Sequence, residues 1–288
     1  TGMVTEFVLD ADPELQEAPP GARFHLHPRF TDFTSDRQID ALAAWDDDPN
    51  SLLIRLLKAP TTLGKVDGTQ PLPAPPGLTP SQKEAFQQLW THQLTLVWGP
   101  PGTGKTHFIA SAVHSILYHN PSFRVAVTAF THAAVENVLR KLLTLSPNYM
   151  VKKLSEVKSA SPGLQAQPLK GLGSLPERFV LGGTVYNFQK AMQKSLPQVD
   201  LLIVDEGSQM KWGELSLALG VLKKGGRLLF AGDDLQLPPI LTGEYPQEGS
   251  GKPGLEDSVF AYLRARDDGE NPYTRQLTES WRMNSVLS

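Results

Sequence analysis

The chain of 288 residues contains no cysteine. That absence excludes disulfides, iron–sulfur clusters and thiolate zinc sites, and it leaves the redox compartment open. No apolar run approaches the roughly 20 residues that a membrane-spanning helix needs. The opening TGMVTEFVLDADPEL lacks the basic and apolar segments of a signal peptide, so an intracellular protein of cytoplasm or nucleus, with no membrane partner, is expected. An excess of one charge is missing too. Against 30 acids stand 27 bases, a net charge of −3, which gives no bulk support to nucleic-acid binding. The distribution is less even than the sum. Residues 1–80 hold 12 acids and 6 bases and residues 201–288 hold 13 and 9, whereas residues 107–200 hold 4 acids and 10 bases. A basic central third fits a phosphate-binding face and, equally, a solvated surface.

What is present is a composition of 40% hydrophobic and 20% charged residues, with 24 prolines and 24 glycines in no repeat: a globular chain with many turns. The most informative stretch is LTLVWGPPGTGKTHF, Leu94 to Phe108. Leu94 to Trp98 reads as a short buried parallel strand. G-x-x-x-x-G-K-T follows, from Gly99 to Thr106, and then a helical pattern with Ile109, Val113, Ile116 and Leu117 on one face. Strand, glycine loop and helix in that order make a phosphate site. Gly99, Gly102 and Gly104 let successive N–H groups turn toward one anion, and the helix N-terminus adds its positive end. Lys105 is placed to reach the β- and γ-phosphates, and the Thr106 hydroxyl to ligand Mg2+. A nucleoside triphosphate is the expected ligand.

Around this stretch the chain alternates. Residues 1–30 show no clear period. DRQIDALAAW, Asp36 to Trp45, is weakly helical, and Ser51 caps a second apolar run from Leu52 to Leu57. PLPAPPGLTP, residues 71–80, reads as a stiff linker. It separates an N-terminal appendage, residues 1–77, from the main domain, residues 78–288. Ser81 is the expected cap of the helix SQKEAFQQLW. Strands are expected at Arg124 to Thr128, Phe179 to Thr184, Leu201 to Val204 and Arg227 to Ala231, with helices at His132 to Leu145, Tyr186 to Ser195 and residues 211–222. Residues 146–177 read as a polar loop or mobile insertion. The fold class is α/β: a P-loop NTPase with a mostly parallel sheet and helices on both faces.

Two further segments carry chemistry. The strand ending in Asp205-Glu206 delivers two carboxylates to the sheet edge where ligands of such folds sit. Asp205 is the expected Mg2+ holder and Glu206 the expected general base for water. In Gly232 to Pro239, GDDLQLPP, Gln236 is placed to reach a γ-phosphate, and Arg282 stands beside an aromatic residue near the end.

In order, these segments resemble the signatures of a superfamily 1 helicase at its first RecA-like domain, over residues 78–288. GPPGTGKT matches the family's phosphate loop. TAFTHAAVENVL (Thr128 to Leu139) and GTVYNF (Gly183 to Phe188) resemble its nucleic-acid motifs. DEGSQ (Asp205 to Gln209) resembles DEASQ, GDDLQLPP the family's GD-x-x-QLPP, and SWRM (Ser280 to Met283) its QYRM. The subgroup most like it holds the Okazaki-fragment nuclease-helicase and the nonsense-mediated-decay helicase.

The resemblance implies an ATPase moving 5′ to 3′ along single-stranded nucleic acid, DNA favoured over RNA, with ATP and Mg2+ as cofactors. It implies that Gln82 reads adenine and that Gly99, Pro100, Pro101, Gly102, Thr103, Gly104, Lys105 and Thr106 cradle the phosphates. Thr128, Phe130, Thr131 and His132 would line the strand-binding face. Lys105, Glu206, Gln236 and Arg282 would act in catalysis, Gln236 linking phosphate state to strand grip. Departures are Gly207 for alanine, Ser280 for glutamine and Trp281 for tyrosine. The family's second RecA-like domain supplies the other wall of the ATP cleft, in cis or in trans. Without it the chain is expected to bind ATP, turn it over poorly and leave duplex unseparated. Two alternatives stay open: a P-loop ATPase that does not act on nucleic acid, and a nucleotide-gated interaction module using the acidic N-terminal region.

Overall fold

The structure, a computed structural model, describes residues 34–155, 163–233, 235–236, 253–269 and 272–280. The irregular opening, Leu237 to Pro239, and Trp281, Arg282 and Met283 lie outside the described residues.

Eight parallel strands form one sheet in the order β4-β3-β5-β2-β6-β7-β1-β8. They are β1 (Leu94–Trp98), β2 (Arg124–Ala129), β3 (Val151–Leu154), β4 (Gln165–Gln167), β5 (Phe179–Gly182), β6 (Val199–Asp205), β7 (Leu222–Gly232) and β8 (Thr274–Gln276). The helices are α1 (Ser35–Asp46), α2 (Leu52–Lys58), α3 (Pro80–Thr91), α4 (Lys105–His119), α5 (His132–Leu145), α6 (Val185–Met192), α7 (Trp212–Leu219) and α8 (Val259–Arg264). None of the described helices is long and apolar enough to cross a membrane.

The central strands are apolar on both faces because both are covered. Leu94, Leu96, Leu202, Val204, Leu228 and Phe230 enter one buried layer with residues of α2, α6, α7 and α8. Their neighbours Val97, Leu201, Ile203, Leu229 and Ala231 enter the other with α3, α4 and α5. The period of two along each strand thus fills two cores at once.

Residues 146–177 are not structureless. They hold β3 and β4, which extend the sheet beyond β5. VKKL and QAQ are short and half polar because they lie at the margin of the sheet, so neither shows the apolar run of a central strand. Helix α8 and strand β8 also went unforeseen, having only six and three residues.

From Thr34 onward the chain packs as one compact unit, so the boundary at residue 77 is not a division in the packing. The proline-rich segment is pinned along α3: Trp90 Nε1 donates to the Gln70 carbonyl at 2.7 Å and Gln87 Nε2 to that of Leu72 at 3.0 Å. Arg227 stacks 4.3 Å from the Trp90 ring centroid and donates to the Trp90 carbonyl and the Thr69 hydroxyl. Helix α1 is fixed to α7 by Trp45 Nε1 donating to the Ser216 carbonyl at 3.1 Å. These bonds hold what composition alone makes look like a linker. Ser51 caps α2 as expected, accepting from Ile54 N. The cap of α3, however, is Thr79 and not Ser81. Its hydroxyl accepts from Gln82 N while Gln82 Oε1 accepts from Thr79 N, a reciprocal capping box with Pro80 at the first helical position.

Gly182 marks the closest approach of β5 to α5. A Cβ there would stand 2.6 Å from Leu139 Cδ1 and 2.7 Å from Val135 Cγ1. Gly182→Ala is expected to destabilise the protein by about 1–3 kcal/mol through overpacking. Chemical denaturation checks this as a lowered midpoint. An unchanged midpoint would mean that α5 is free to move away from the sheet.

Candidate active site

Three adjacent strands, β6, β7 and β1, end at the same sheet edge, and their last residues build one cavity of about 390 Å3. From the loop after β1 come Pro101, Gly102, Gly104, Lys105 and Thr106. Asp205, Glu206 and Ser208 come from the end of β6, and Gly232, Asp233 and Gln236 from the end of β7.

The loop's shape follows from its glycines. Gly102 and Gly104 take φ values of +94° and +81°, the left-handed region that a side chain disfavours. Helix α4 starts at Lys105, so its unpaired N–H groups open at the cavity. Gly99, Pro100 and Thr103 form the stem of the loop rather than line the cavity. Gly99 N donates to the Gly232 carbonyl at 3.2 Å, and the Thr103 hydroxyl donates to the Pro100 carbonyl at 2.8 Å.

Lys105 folds back onto its own loop, donating to the carbonyls of Gly99 and Pro100. Burial lowers its pKa, and the nearby carboxylates of Asp233, Asp205 and Glu206 oppose that shift. Asp205 is buried, and burial pushes its pKa up from 3.8 to about 6, reinforced by the Glu206 charge and opposed by the Glu206 N–H and by Lys105. That N–H donates to Asp205 Oδ1 at 3.0 Å. Glu206 itself adopts φ +53°, ψ +37°, left-handed for a residue with a side chain, a strained conformation typical of functional sites. Gln236 is tied to Asp233: its N donates to the Asp233 carbonyl at 3.1 Å and its Nε2 to Asp233 Oδ2 at 3.4 Å.

One donor set suits a hard cation. The carboxylate of Asp205 and the hydroxyl of Thr106 line the same cavity and offer oxygen only, the chemistry that Mg2+ takes. Among the described residues, no group of three or more His, Asp or Glu forms a metal cluster, so a cation here would take its remaining oxygens from water or a bound phosphate.

Gln82 differs from expectation. It is only 1% exposed and does not line the cavity. Its Oε1 completes the cap of α3, and its Nε2 donates to the Thr103 carbonyl at 3.3 Å, so both ends of the amide are engaged in bracing the loop. The strand-face residues divide. Phe130 is 51% exposed, and Thr131 and His132 are exposed beside it. Thr128 cannot line a surface: it is 0% exposed inside β2, which has β5 and β6 on either side and helices on both faces. Thr131 links the two regions. Its hydroxyl caps α5, accepting from Ala134 N at 3.1 Å, and donates to Glu206 Oε2 at 3.5 Å. His132 has a lowered pKa, from burial and from the charge of Lys153, opposed by Glu136. Arg282 lies outside the described residues. Sequence reasoning missed Asp233, Ser208 and Gly232 as lining residues. The doubled aspartate after a strand was the available signal for Asp233.

The AAA domain family model matches residues 82–242. The DNA replication ATP-dependent helicase/nuclease DNA2 of Xenopus laevis is 31% identical over 231 residues, 73% of this chain and 20% of that protein. Its Homo sapiens counterpart is 30% identical over 231 residues, again 73% and 20%. The RecBCD enzyme subunit RecD of Buchnera aphidicola subsp. Schizaphis graminum is 23% identical over 210 residues, 72% of this chain and 31% of that one. Among solved structures, Pif1 helicase from Candida albicans aligns with a TM-score of 0.40 and 20% identity, covering 71% of this chain and 40% of that one. The chain spans about a fifth of the length of the two helicase/nuclease relatives. It belongs to the AAA domain family and is a superfamily 1 helicase RecA-like domain related to DNA2.

Two predictions follow from the cavity's electrostatics and packing. With its pKa raised, folded Asp205 holds its proton more tightly than unfolded Asp205. The nucleotide-free protein therefore loses stability as pH rises from about 4 to about 6. Asp205→Asn removes that loss. Its melting temperature is expected to match the parent's near pH 4 and exceed it at pH 7, and equal pH profiles would contradict the burial argument. At Gly207 an added Cβ meets nothing nearer than 3.4 Å, so the alanine common in the family fits. Gly207→Ala is expected to be neutral or to stabilise by about 0.4–1 kcal/mol. A loss of more than that in the same melts would show that the β6 end needs glycine.

Proposed function

We propose that this superfamily 1 RecA-like domain is the ATP-binding motor half of a DNA helicase, which couples ATP hydrolysis to 5′ to 3′ movement along single-stranded DNA. The observation that carries the reading is the convergence of the phosphate loop, Asp205-Glu206 and Asp233-Gln236 in one cavity, with Thr131 joining it to the exposed Phe130. The relatives, a DNA replication helicase/nuclease and a RecBCD subunit, favour DNA over RNA. Work on DNA inside the cell is part of the same reading.

The triphosphate lies on the loop N–H groups and the N-terminus of α4. Lys105 exchanges the Gly99 and Pro100 carbonyls for the β- and γ-phosphates, a swap of neutral acceptors for charged ones. Thr106 and Asp205 would hold Mg2+, which would supply positive charge against the phosphate oxygens. Glu206 takes the proton from the attacking water as the water oxygen bonds to the γ-phosphorus. The bond from that phosphorus to the ADP oxygen breaks, and Gln236 senses the change. Reading of adenine by Gln82 requires the amide to give up its bond to Thr103 or Thr79. A second RecA-like domain, in cis or in trans, supplies the facing wall and the arginines that raise the rate.

A base stacks on Phe130, a contact that tolerates any sequence and so suits movement along a strand. An exposed phenylalanine beside the linked Thr131 speaks against an ATPase with no polymer to grip. The test is fluorescence anisotropy of a labelled single-stranded DNA, without and with Mg2+ and a non-hydrolysable ATP analogue. The account expects saturable binding that responds to nucleotide. Phe130→Ala is expected to cost about 1–3 kcal/mol of DNA affinity with nucleotide binding unchanged. Absence of any DNA binding by a chain that still binds nucleotide would overturn the helicase reading.

A further inference from the structure

A second cavity, of about 330 Å3, shares no residue with the nucleotide site and lies between the C-terminal end of α3 and the edge strand β8. Leu63, Gly64, Lys65, Gln88, His92, Pro272, Tyr273 and Arg275 line it, and the list contains two full positive charges, one imidazole and no carboxylate. We propose that this cavity binds a phosphate group, free or carried by a polynucleotide, between Lys65, His92 and Arg275.

The charge in this cavity is unbalanced. Arg275 gives three of its five N–H donors to neutral acceptors, Nη1 to the carbonyls of Pro272 and Thr274, at 3.1 and 2.8 Å, and Nη2 to Gln88 Oε1 at 2.6 Å, which leaves Nε and one Nη2 hydrogen for an anion. The guanidinium is thereby fixed in place with no ion pair to a described carboxylate, and the neighbouring Asp267 carboxylate accepts from the backbone N–H groups of Tyr273 and Thr274. No described residue takes the Lys65 ammonium, and Lys65 is held beside His92 by an antiparallel bridge of their backbones. Helix α3 ends here, and its carbonyl end contributes about half an elementary negative charge. Two cations exceed that by more than one full charge. A polar concavity with a positive surplus and fixed donors is the arrangement that takes a tetrahedral oxyanion.

His92 adds a donor when the anion arrives. The single proton of the Thr91 hydroxyl goes to the Gln87 carbonyl at 2.6 Å, so at 2.8 Å the Thr91 oxygen can only accept from His92 Nδ1. Nε2 is left as the nitrogen that gains the second proton. Burial chiefly, with the charges of Lys65 and Arg275, holds the His92 pKa below its usual value, and the Gln88 carbonyl opposes them. A bound phosphate would reverse the effect of those cations and raise it.

The test follows the His92 ring by NMR, its signal assigned by its loss in His92→Gln. The chain carries Lys105→Ala, so the nucleotide loop cannot account for phosphate binding. Inorganic phosphate is expected to shift the signal saturably and to raise the apparent pKa of His92. Lys65→Gln and Arg275→Gln are each expected to weaken this binding about tenfold or more, the worth of one charged hydrogen bond. Lys65 is exposed, so its variant tests the site even if Arg275→Gln disturbs the Gln88 contact. A second arm replaces phosphate with an oligothymidylate lacking terminal phosphates. The same shift there, weakened in Lys65→Gln, identifies a polynucleotide backbone as the source. A response to inorganic phosphate alone identifies a free phosphate. No saturable response in either arm, or a response that Lys65→Gln leaves unchanged, overturns the proposal. It does not rest on the nucleotide reading, because ATP binding by the chain with Lys105 intact is measured separately and is expected to be unaffected by Lys65→Gln.

Discussion

Lys105 stands among three carboxylates, those of Asp205, Glu206 and Asp233, yet its ammonium bonds to the carbonyls of its own loop. The fold around the cavity sets up that arrangement. The parallel order β6-β7-β1 brings β1 to one edge with two strands that follow it by a hundred residues or more. Two apolar layers on opposite faces keep those strands in register. The loop can bend back because Gly102 and Gly104 take positive φ, and it is braced from behind by Gln82. Burial raises the pKa of Asp205, with the Glu206 charge adding to the shift and Lys105 opposing it. Perturbed carboxylates of this kind gather where charged ligands bind.

The cavity is also connected outward. Glu206 sits in a strained backbone conformation with its carboxylate within reach of Thr131. Thr131 in turn caps α5 and neighbours Phe130 at the surface. A strand of nucleic acid pressing on Phe130 would therefore act one residue from the bond that holds the proposed general base. On the opposite side, Thr79 and Ser81 hold the Glu279 carboxylate, and Leu277 N donates to the Trp98 carbonyl. The segment leading toward Arg282 is thus anchored to the same helix that braces the loop.

Much of this was legible in the residues. The phosphate loop, the strand before it, the carboxylate pair and the helix at His132–Leu145 follow from patterns that are local in sequence. What was not legible is non-local. Leu94–Trp98 reads as a buried strand, but nothing in those five residues says that β7 and β8 flank it. VKKL and QAQ look like loop because an edge strand need not be apolar. Thr128 and Phe130 are equally good candidates for a surface until the fold sets Thr128 inside β2 and Phe130 just past that strand's end. Gln82 looks like an ordinary polar helix residue, and only the fold reveals that its amide closes a cap at one end and braces the loop at the other. Bulk charge hid the positive cavity at α3, because Lys65, His92 and Arg275 come from three separate segments.

The central claim is that the loop, Lys105 and the two strand-end carboxylates form a triphosphate site. Calorimetric titration of the chain with a non-hydrolysable ATP analogue and Mg2+, beside Lys105→Ala, tests it most directly. The account predicts one saturable site that needs Mg2+ and weakens by about 10- to 100-fold in the variant, the worth of one charged hydrogen bond. Equal binding by both chains, or none by either, would contradict it.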